Sequence, residues 1–263
     1  MNNHSWQITG HSDIPILVHH YHSLESTNSE ARRMAMENAS AWTVICADLQ
    51  TKGRGRYHRK WHSPAGLGLY FSVILRPKID LKFLNMINMR AALVIREILQ
   101  IELSQADLQN EYTVQLKWPN DILVNEKKIC GILLESEILS SEVKYLILGI
   151  GININHQGRD FPVELQETAT SLKLLTKQNW ETNRFLNKVL PKLQQQIILD
   201  QEAGFRNVIL EYQKYLAFKN QVVEIKIQNQ SIKGCIKGID PYGYLLLEQG
   251  NETRTISTGD IAN

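Results

Sequence analysis

The chain has 263 residues, of which 43% are hydrophobic and 21% are charged, and its formal net charge is +2. This length allows one large domain, or a large domain followed by a small one. The near-neutral charge argues against a protein that binds nucleic acid or anionic lipid over its whole surface, because such proteins carry a larger basic excess.

The N-terminal segment and the cysteines favour a cytoplasmic protein. The segment MNNHSWQITGHSDIPILV lacks the basic start and continuous apolar core of a signal peptide. No apolar run reaches the length that spans a bilayer, so no membrane association is expected. Cys46, Cys130 and Cys235 are far apart, lack metal-ligand spacing and lie in apolar runs, which predicts buried, reduced thiols.

The first half of the chain predicts strands and two helices. A strand over 16–22 precedes a helix that starts near Thr27. The runs WTVICADLQ (42–50) and LYFSVILRP (69–77) are rich in β-branched and aromatic residues and predict two strands. Apolar residues at helical spacing predict a long helix over 81–103.

The second half predicts a group of strands, a helical region and a small β domain. Three strands are expected within 114–124, 128–139 and 143–155, joined by polar turns. The span 164–217 has helical character. After Lys219, apolar and polar residues alternate across turn signals, which predicts four or five short strands in a small barrel. The fold class is therefore α/β with a mixed sheet, followed by a small all-β domain.

The segment TKGRGRYHRKW (51–61), called here the basic loop, joins two predicted strands and has no acidic residue. Its five cations are Lys52, Arg54, Arg56, Arg59 and Lys60. Like charges this close repel unless an anion lies among them. The residues leave three interpretations open: a solvated loop, a nucleic-acid contact, or a site for the phosphates of a small molecule. The segment contains neither GxxxxGK[ST] nor GxGxxG. Its glycines and its charge repulsion favour a loop that is mobile before a ligand binds.

The segment KWPNDILVNEKKICG places Lys117, Asp121 and Lys128 in or beside apolar strand sequence. Burying such groups is costly unless they are paired or hold a ligand. Asp121 and Lys128 can each be an ordinary turn residue. Together with the basic loop, they supply cations for phosphates and a carboxylate for Mg²⁺.

Two further stretches have a structural and a functional interpretation. Thr27 and Glu30 have the spacing of a capping box, so Ser26 and Thr27 are simply explained as helix caps, although a helix N-terminus also suits a polar head group. Gly149 and Gly151 lie in a predicted strand, where glycine indicates either close approach of backbone or ligand, or a bulge.

Six motifs in this order resemble those of the biotin–protein ligases, also called biotin–[acetyl-CoA-carboxylase] ligases. They are STN (26–28), QTKGRGRYHRKW (50–61), SPAGLGLYFSVILRP (63–77), KWPND (117–121), KICGILLE (128–135) and GIGININ (149–155). The resemblance implies an α/β (α+β) fold whose mixed β-sheet is flanked by helices, as in class II aminoacyl-tRNA synthetases and biotin ligases. It also implies a catalytic domain over 1–217 and a small C-terminal SH3-like β-barrel over 218–263.

The resemblance implies a two-step reaction with biotin and ATP as substrates and Mg²⁺ as cofactor. Biotin is activated as biotinyl-5′-AMP and then transferred to one lysine of a biotin carboxyl carrier protein, of acetyl-CoA carboxylase or a similar biotin-dependent carboxylase. Because the STN motif begins at residue 26, no winged helix-turn-helix domain is expected before it, and hence no sequence-specific DNA binding. A monomer and a homodimer are both compatible with the family.

The resemblance also carries over site residues. The residues implied to bind biotin are Ser26, Thr27, Asn28, Gln50, Gly53, Arg54, Gly55, Arg56, Lys128 and Gly131. Those implied to bind the nucleotide are Arg56, Arg59, Trp61, Asn120, Lys128 and Asn153. The catalytic set is Lys128, Arg54, Arg56 and Asp121, and Asp121 is the candidate metal ligand. No motif fixes the contacts to adenine, for which Trp180 is the candidate.

Three alternatives compete with this interpretation. A lipoate–protein ligase shares the fold and the adenylate strategy, but its double-arginine, triple-glycine motif is missing here. A nucleic-acid-binding module would need an extended basic face and base-stacking aromatic residues. A purely structural protein would leave the charges of KWPND and KICG unexplained.

Overall fold

Residues 4–228 and 230–262 are described by a computed structural model. Eight strands precede residue 154: β1 (His4–Thr9), β2 (Pro15–Leu24), β3 (Thr43–Gln50), β4 (Gly68–Leu75), β5 (Val114–Lys117), β6 (Asp121–Val124), β7 (Lys127–Leu139) and β8 (Glu142–Asn153). The helices are α1 (Thr27–Met36), α2 (Leu84–Ala106), α3 (Leu172–Thr176), α4 (Thr182–Ala203) and α5 (Val208–Lys214). The C-terminal strands are β9 (Val222–Ile227), β10 (Gln230–Ile239), β11 (Leu245–Gln249), β12 (Glu252–Ile256) and β13 (Asp260–Ile261).

The first eight strands form one mixed sheet in the order β1-β2-β3-β4-β8-β7-β6-β5. Only β2 and β3 pair in parallel, and α1 connects the two. The remaining pairs are antiparallel. The mixed sheet flanked by helices and the C-terminal β domain are thereby confirmed, and five strands form the second sheet in the order β12-β11-β10-β9-β13.

Strand alternation gives the large sheet two buried faces. Successive side chains point to opposite sides of a strand, so neighbours in sequence join different cores. Ile45, Ile74 and Ile147 pack with Ala31 and Ala35 of α1 on one face. The residues next to them in β3, β4 and β8 belong to the larger core on the other face, with α2 and α4. The central strands therefore consist of almost continuous apolar sequence.

Helices α2, α4 and α5 are joined by a buried ion pair. Arg90 of α2 donates to Asp200 of α4 at 2.5 and 3.0 Å and to Glu211 of α5 at 2.7 Å. The guanidinium has three acidic partner atoms, which is the arrangement that burial of an arginine requires. The predicted helix over 81–103 is largely confirmed, since a 3₁₀ turn at Leu81–Phe83 leads directly into α2.

Several sequence expectations are corrected. The segment 114–124 contains two strands, because the chain turns at Trp118–Asn120, where the Trp118–Pro119 bond is cis. Strand β1 was not predicted. The helical character of 164–217 is confirmed, and it is divided among α3, α4 and α5. Cys46 and Cys130 are buried free thiols as expected, whereas Cys235 is only half-buried because it alternates along β10 with the buried Gly234 and Ile236. No helix within 4–228 and 230–262 is long and apolar enough to cross a membrane.

The small sheet packs directly against the large domain. The buried Trp118 indole donates to the Gly243 carbonyl at 3.1 Å, and Asn85 donates to the Tyr242 carbonyl at 3.1 Å. Ile225, Ile236 and Leu247 of the small sheet belong to the same apolar cluster as α2. This packing places β13 beside the basic loop.

Candidate active site

A cavity of about 420 Å³ lies between the large sheet, the basic loop and β13. It is lined by every site residue predicted from the sequence except Gly53 and Trp180: Ser26, Thr27, Asn28, Gln50, Arg54, Gly55, Arg56, Arg59, Trp61, Asn120, Asp121, Lys128, Gly131 and Asn153. Gly53 lies behind the wall, where a Cβ would come within 2.6 Å of the Trp61 carbonyl oxygen and 2.7 Å of Ser63 Oγ. Its role is to let the basic loop pass close to these atoms.

One end of the cavity is a network of uncharged polar groups at the start of α1. Gln50 Oε1 accepts hydrogen bonds from the backbone nitrogen and the hydroxyl of Thr27, at 2.9 and 3.2 Å. Ser72 Oγ lies 2.6 Å from Asn28 Oδ1 and 2.8 Å from Thr27 Oγ1. Asn28 in turn donates to Glu135 at 2.8 Å. Each side chain is thus held by a neighbour, so the donors and acceptors facing the cavity are fixed in place.

The expected capping box at the start of α1 is wrong. Ser26 is the N-cap residue, and its side chain makes no capping hydrogen bond. The Thr27 hydroxyl is used by Gln50, and Glu30 pairs with Arg33 on the helix surface. The Ser26 hydroxyl, which lines the cavity, is therefore not committed to capping the helix.

Glycines let side chains lie directly on the sheet at the cavity floor. A Cβ at Gly149 would meet Asn28 Oδ1 at 2.0 Å, and one at Gly151 would meet Trp61 Nε1 at 2.4 Å. Gly131 is the register partner of Gly151 and also contacts the Trp61 ring. The β4–β8 and β7–β8 ladders are regular here, so the bulge interpretation is wrong. The glycines do allow close approach, but by the side chains of Asn28 and Trp61 and not by backbone.

The other end of the cavity is charged. Lys128 Nζ lies 2.7 Å from Asp121 Oδ1 and 5.2 Å from the centroid of the Trp61 ring. Lys117 is the register partner of Asp121 and is almost fully buried. Burial lowers the pKa of the Lys117 amine, and the carboxylate of Asp121 partly opposes that shift. The three ionisable groups singled out from the sequence therefore meet at one point.

The backbone around Lys128 is fixed by a distant segment. Lys128 donates its N–H to the Thr168 carbonyl at 2.8 Å and accepts from the Thr170 N–H at 2.9 Å. The Asn153 amide donates to the Thr170 carbonyl at 3.0 Å. This segment, over 168–170, closes one wall of the cavity and was not singled out from the sequence.

The three arginines of the basic loop have acidic partners elsewhere in the chain. Arg54 donates to Ser29 at 3.0 Å and lies 3.9 Å from Glu135. Arg56 and Arg59 lie 3.0 and 2.6 Å from the two carboxylate oxygens of Asp260. The carboxylates come from β7 and β13, far from the loop in sequence. That the loop is mobile before a ligand binds stays a prediction.

The C-terminal residues of the cavity wall were missed from the sequence. They are Lys226, Asp260, Ile261 and Ala262. His62 and Phe161 were missed as well, although His62 lies directly between two of the identified motifs. Trp180 does not line this cavity. Its indole donates to Thr176 at 3.0 Å, and its side chain lines a second cavity of about 400 Å³ around Glu102.

The metal-binding prediction has one candidate ligand. Within 4–228 and 230–262, no group of three or more histidine, cysteine or acidic residues is arranged to hold a metal ion. Asp121 nevertheless presents one carboxylate to the cavity, beside Lys128. Magnesium ions that act on nucleotides are commonly held by one or two carboxylates together with the substrate phosphates. The residues present fit such a site.

Comparison with known proteins decides the family. The profile of the Biotin/lipoate A/B protein ligase family matches residues 22–153, and that of the Biotin protein ligase C terminal domain matches residues 220–262. The chain belongs to the biotin protein ligase family. This ligase is 35% identical to the Bifunctional ligase/repressor BirA of Bacillus subtilis over 92% of its own length and 72% of that protein.

Two further relatives span nearly the whole ligase chain. It is 29% identical to the Biotin--[acetyl-CoA-carboxylase] ligase of Paracoccus denitrificans, over 90% of this chain and 96% of that one. The biotin protein ligase of Aquifex aeolicus, solved in complex with biotin and ATP, superposes with a TM-score of 0.77 at 31% identity. That superposition covers 93% of this chain and 97% of the other. The superposition thus extends over most of both chains.

Proposed function

We propose that this chain is an ATP-dependent biotin–protein ligase that forms biotinyl-5′-AMP and transfers biotin to a lysine of a carrier protein. The observation that carries the proposal is a single cavity with a fixed, uncharged polar end at Gln50 and Thr27 and a cationic end at Lys128. A ureido head group needs the first end, and a carboxylate that meets a triphosphate needs the second. Membership of the family supports the same assignment.

In the first step, a carboxylate oxygen of biotin attacks the α-phosphorus of ATP, and the bond to the departing pyrophosphate breaks. The two reacting groups are both anions, so their repulsion is severe in a site that excludes water. Lys128, Arg56 and Arg59 bring positive charge to the same cavity and stabilise the charge on the phosphates. Ser26, Thr27, Asn28 and Gln50 are proposed to hold the biotin head.

In the second step, the ε-amine of the carrier lysine attacks the acyl carbon and AMP leaves. The basic loop lies over the cavity, where it can shield the adenylate from water until the carrier arrives. We propose as the partner a biotin carboxyl carrier domain of acetyl-CoA carboxylase or a similar carboxylase. The division into a catalytic domain over 1–217 and a β domain over 218–263 belongs to the same proposal.

Magnesium would enter with the nucleotide. When bound, it supplies positive charge that neutralises the phosphates. Asp121 is the residue proposed to hold it, and the ion pair with Lys128 keeps that carboxylate directed into the cavity. Cytoplasmic location, a monomeric or homodimeric state and the absence of sequence-specific DNA binding stay predictions. Sedimentation of the protein tests the oligomeric state, and titration with operator-like DNA tests the absence of specific binding.

The lipoate–protein ligase alternative is less well supported. The match to the Biotin protein ligase C terminal domain over residues 220–262 favours biotin, as does the GRGR sequence of the basic loop. Pyrophosphate release, measured with ATP and either biotin or lipoate in the absence of a carrier, separates the two. We expect release with biotin that depends on added Mg²⁺. Pyrophosphate release with lipoate and none with biotin would overturn the assignment.

A further inference from the structure

The C-terminal sheet contributes one carboxylate to the cavity, from Asp260 of β13. Its two oxygens face two arginines of the basic loop. Arg56 Nη1 donates to Oδ1 at 3.0 Å, and Arg59 Nη2 lies 2.6 Å from Oδ2 as an ion pair without hydrogen-bond geometry. The Asp260 and Arg56 side chains are each only 21% exposed, so this contact is less screened by solvent than an ordinary surface ion pair.

Residues next to Asp260 complete a docking point for the loop. Arg56 also donates to the Gly259 carbonyl at 3.0 Å and to the Thr258 hydroxyl at 3.1 Å. The Tyr57 hydroxyl lies 2.7 Å from that of Thr258. The segment 258–260 therefore holds the centre of the basic loop through side-chain and backbone contacts at once.

The two halves of the loop are held by different parts of the chain. Arg54 contacts Ser29 and Glu135, which belong to the large domain and adjoin the polar end of the cavity. The acidic partner of both Arg56 and Arg59 is Asp260, in the C-terminal segment. A change in β13 should therefore act on the second half of the loop and leave the first half in place.

The carboxylate of Asp260 also acts on the cavity interior. Burial lowers the pKa of the Lys117 amine, and the charges of Asp121 and Asp260 oppose that shift. Without Asp260, less negative charge would offset the repulsion between the positive groups at this end. Arg56 and Arg59 would also lose the charged partner that they share. Arginines that must meet phosphate contribute most when they are already in place.

We propose that Asp260 is a positioning residue through which the C-terminal domain holds Arg56 and Arg59 over the nucleotide end of the cavity. Its carboxylate orders this half of the basic loop before ATP binds, so that less ordering is required on binding. The part of this inference that concerns ATP rests on the proposed function. The part that concerns the loop does not.

Limited proteolysis of the ligand-free protein tests the loop directly. Trypsin cleaves after lysine and arginine, and the loop contains five such sites that the Asp260→Asn variant retains. We expect this variant to be cleaved within 51–61 about tenfold faster, because local opening becomes easier. Asp260→Glu should restore much of the protection. Glu252→Gln, which removes an exposed carboxylate from the same sheet, should match the parent chain.

Adenylation kinetics provide the second readout. For Asp260→Asn we expect the KM for ATP to rise about tenfold and the KM for biotin to change less than twofold, since Arg56 and Arg59 are proposed to act on the phosphates while the biotin head is held by the polar end. Unchanged proteolysis together with an unchanged KM for ATP would overturn the inference. So would a lower KM for ATP, which would identify Asp260 as a competitor of the nucleotide. If the parent chain released no pyrophosphate at all, the proposed function would fail while the proteolysis result still decided the loop contact.

Discussion

Lys128 Nζ lies 2.7 Å from Asp121 Oδ1, so the lysine at the charged end of the cavity already has a carboxylate partner within the protein. The two residues come from the adjacent strands β6 and β7, whose register shifts between Ile122 and Leu123. Both side chains remain partly exposed to the cavity, at 33% and 19%. The pair therefore keeps the amine directed at the site and lets an incoming anion share it.

Replacing Lys128 by glutamine should lower the rate of biotin-dependent pyrophosphate release by 10²-fold or more, on the order expected for loss of one charged transition-state contact. The fold should survive, because a partly exposed ion pair contributes little to stability. Lys127→Gln is the matched control. The Lys127 side chain is exposed, and its nearest carboxylate, that of the exposed Glu167, is as far away as 4.0 Å. A Lys128→Gln rate within a few-fold of the control would remove Lys128 from the chemistry.

Replacing Arg54 or Arg56 by glycine should release the adenylate from the protein. The loop would lose a contact to Ser29 or to Asp260, respectively, and would close less well over the mixed anhydride. Free biotinyl-AMP then labels lysines of any added protein, which a streptavidin blot with serum albumin detects. Arg159→Gly, an exposed arginine outside the cavity, should give no such labelling. The prediction fails if the loop variants label only the carrier domain.

Adding a methyl group at Gly149 should damage the polar end of the cavity. The new Cβ would lie 2.0 Å from Asn28 Oδ1, so Asn28 would have to leave its contacts with Ser72 and Glu135. For Gly149→Ala we expect the KM for biotin to rise at least tenfold, about the cost of one lost hydrogen-bonded contact. Gly158→Ala is the control, because a Cβ there meets no atom within 4 Å. Equal KM values for the two variants would show that Asn28 does not shape the biotin end.

His156 should make stability depend on pH between about 6.5 and 4. Burial lowers its pKa from 6.5 to about 4, and the nearby His62 adds to the shift. Its ring stacks on Phe161 at 4.7 Å, and neither ring nitrogen makes a hydrogen bond of good geometry. The unfolded chain binds this proton more tightly, so the stabilisation is complete above pH 6.5 and is lost as the pH falls towards 4. The free energy of unfolding therefore falls by about 3 kcal/mol between neutral pH and pH 4 because of this one group.

Urea unfolding at pH 7.5 and pH 4 measures this effect. Between pH 7.5 and pH 4, the free energy of unfolding of the parent chain should fall by about 3 kcal/mol more than that of His156→Phe. Phenylalanine keeps the stacking and removes the titrating group. The carboxyl groups titrate equally in both proteins, so their contributions cancel in the comparison. Parallel losses in the two proteins would contradict the burial of a neutral imidazole.

The sequence predicts the parts of the site that local pattern encodes. Gln50 ends and Lys128 begins a strand that hydrophobic pattern identifies, and Asp121 stands out as a charge within apolar sequence, so all three could be singled out. The Thr27 capping box failed because Gln50, which is distant in sequence, uses the Thr27 hydroxyl. Asp260 could not be found, because its role arises only from packing of the small sheet against the loop, across more than two hundred residues.

The boundaries of some strands could not be predicted from hydrophobic pattern either. Trp118 and Ile122 are apolar on both sides of the Pro119–Asn120 turn, so hydrophobicity alone joined β5 and β6 into one strand. Strand β1 escaped prediction because most of its side chains are exposed or half-exposed and its pattern of alternation is weak.

The most direct test of the proposed function is the intact mass of a biotin carboxyl carrier domain after incubation with this chain, biotin and MgATP. We predict the addition of one biotinyl group, on one lysine, with none added when that lysine is replaced by arginine or when Lys128→Gln replaces the parent enzyme. An unmodified carrier domain with biotin, together with a lipoyl-modified one when lipoate is supplied, would contradict the assignment.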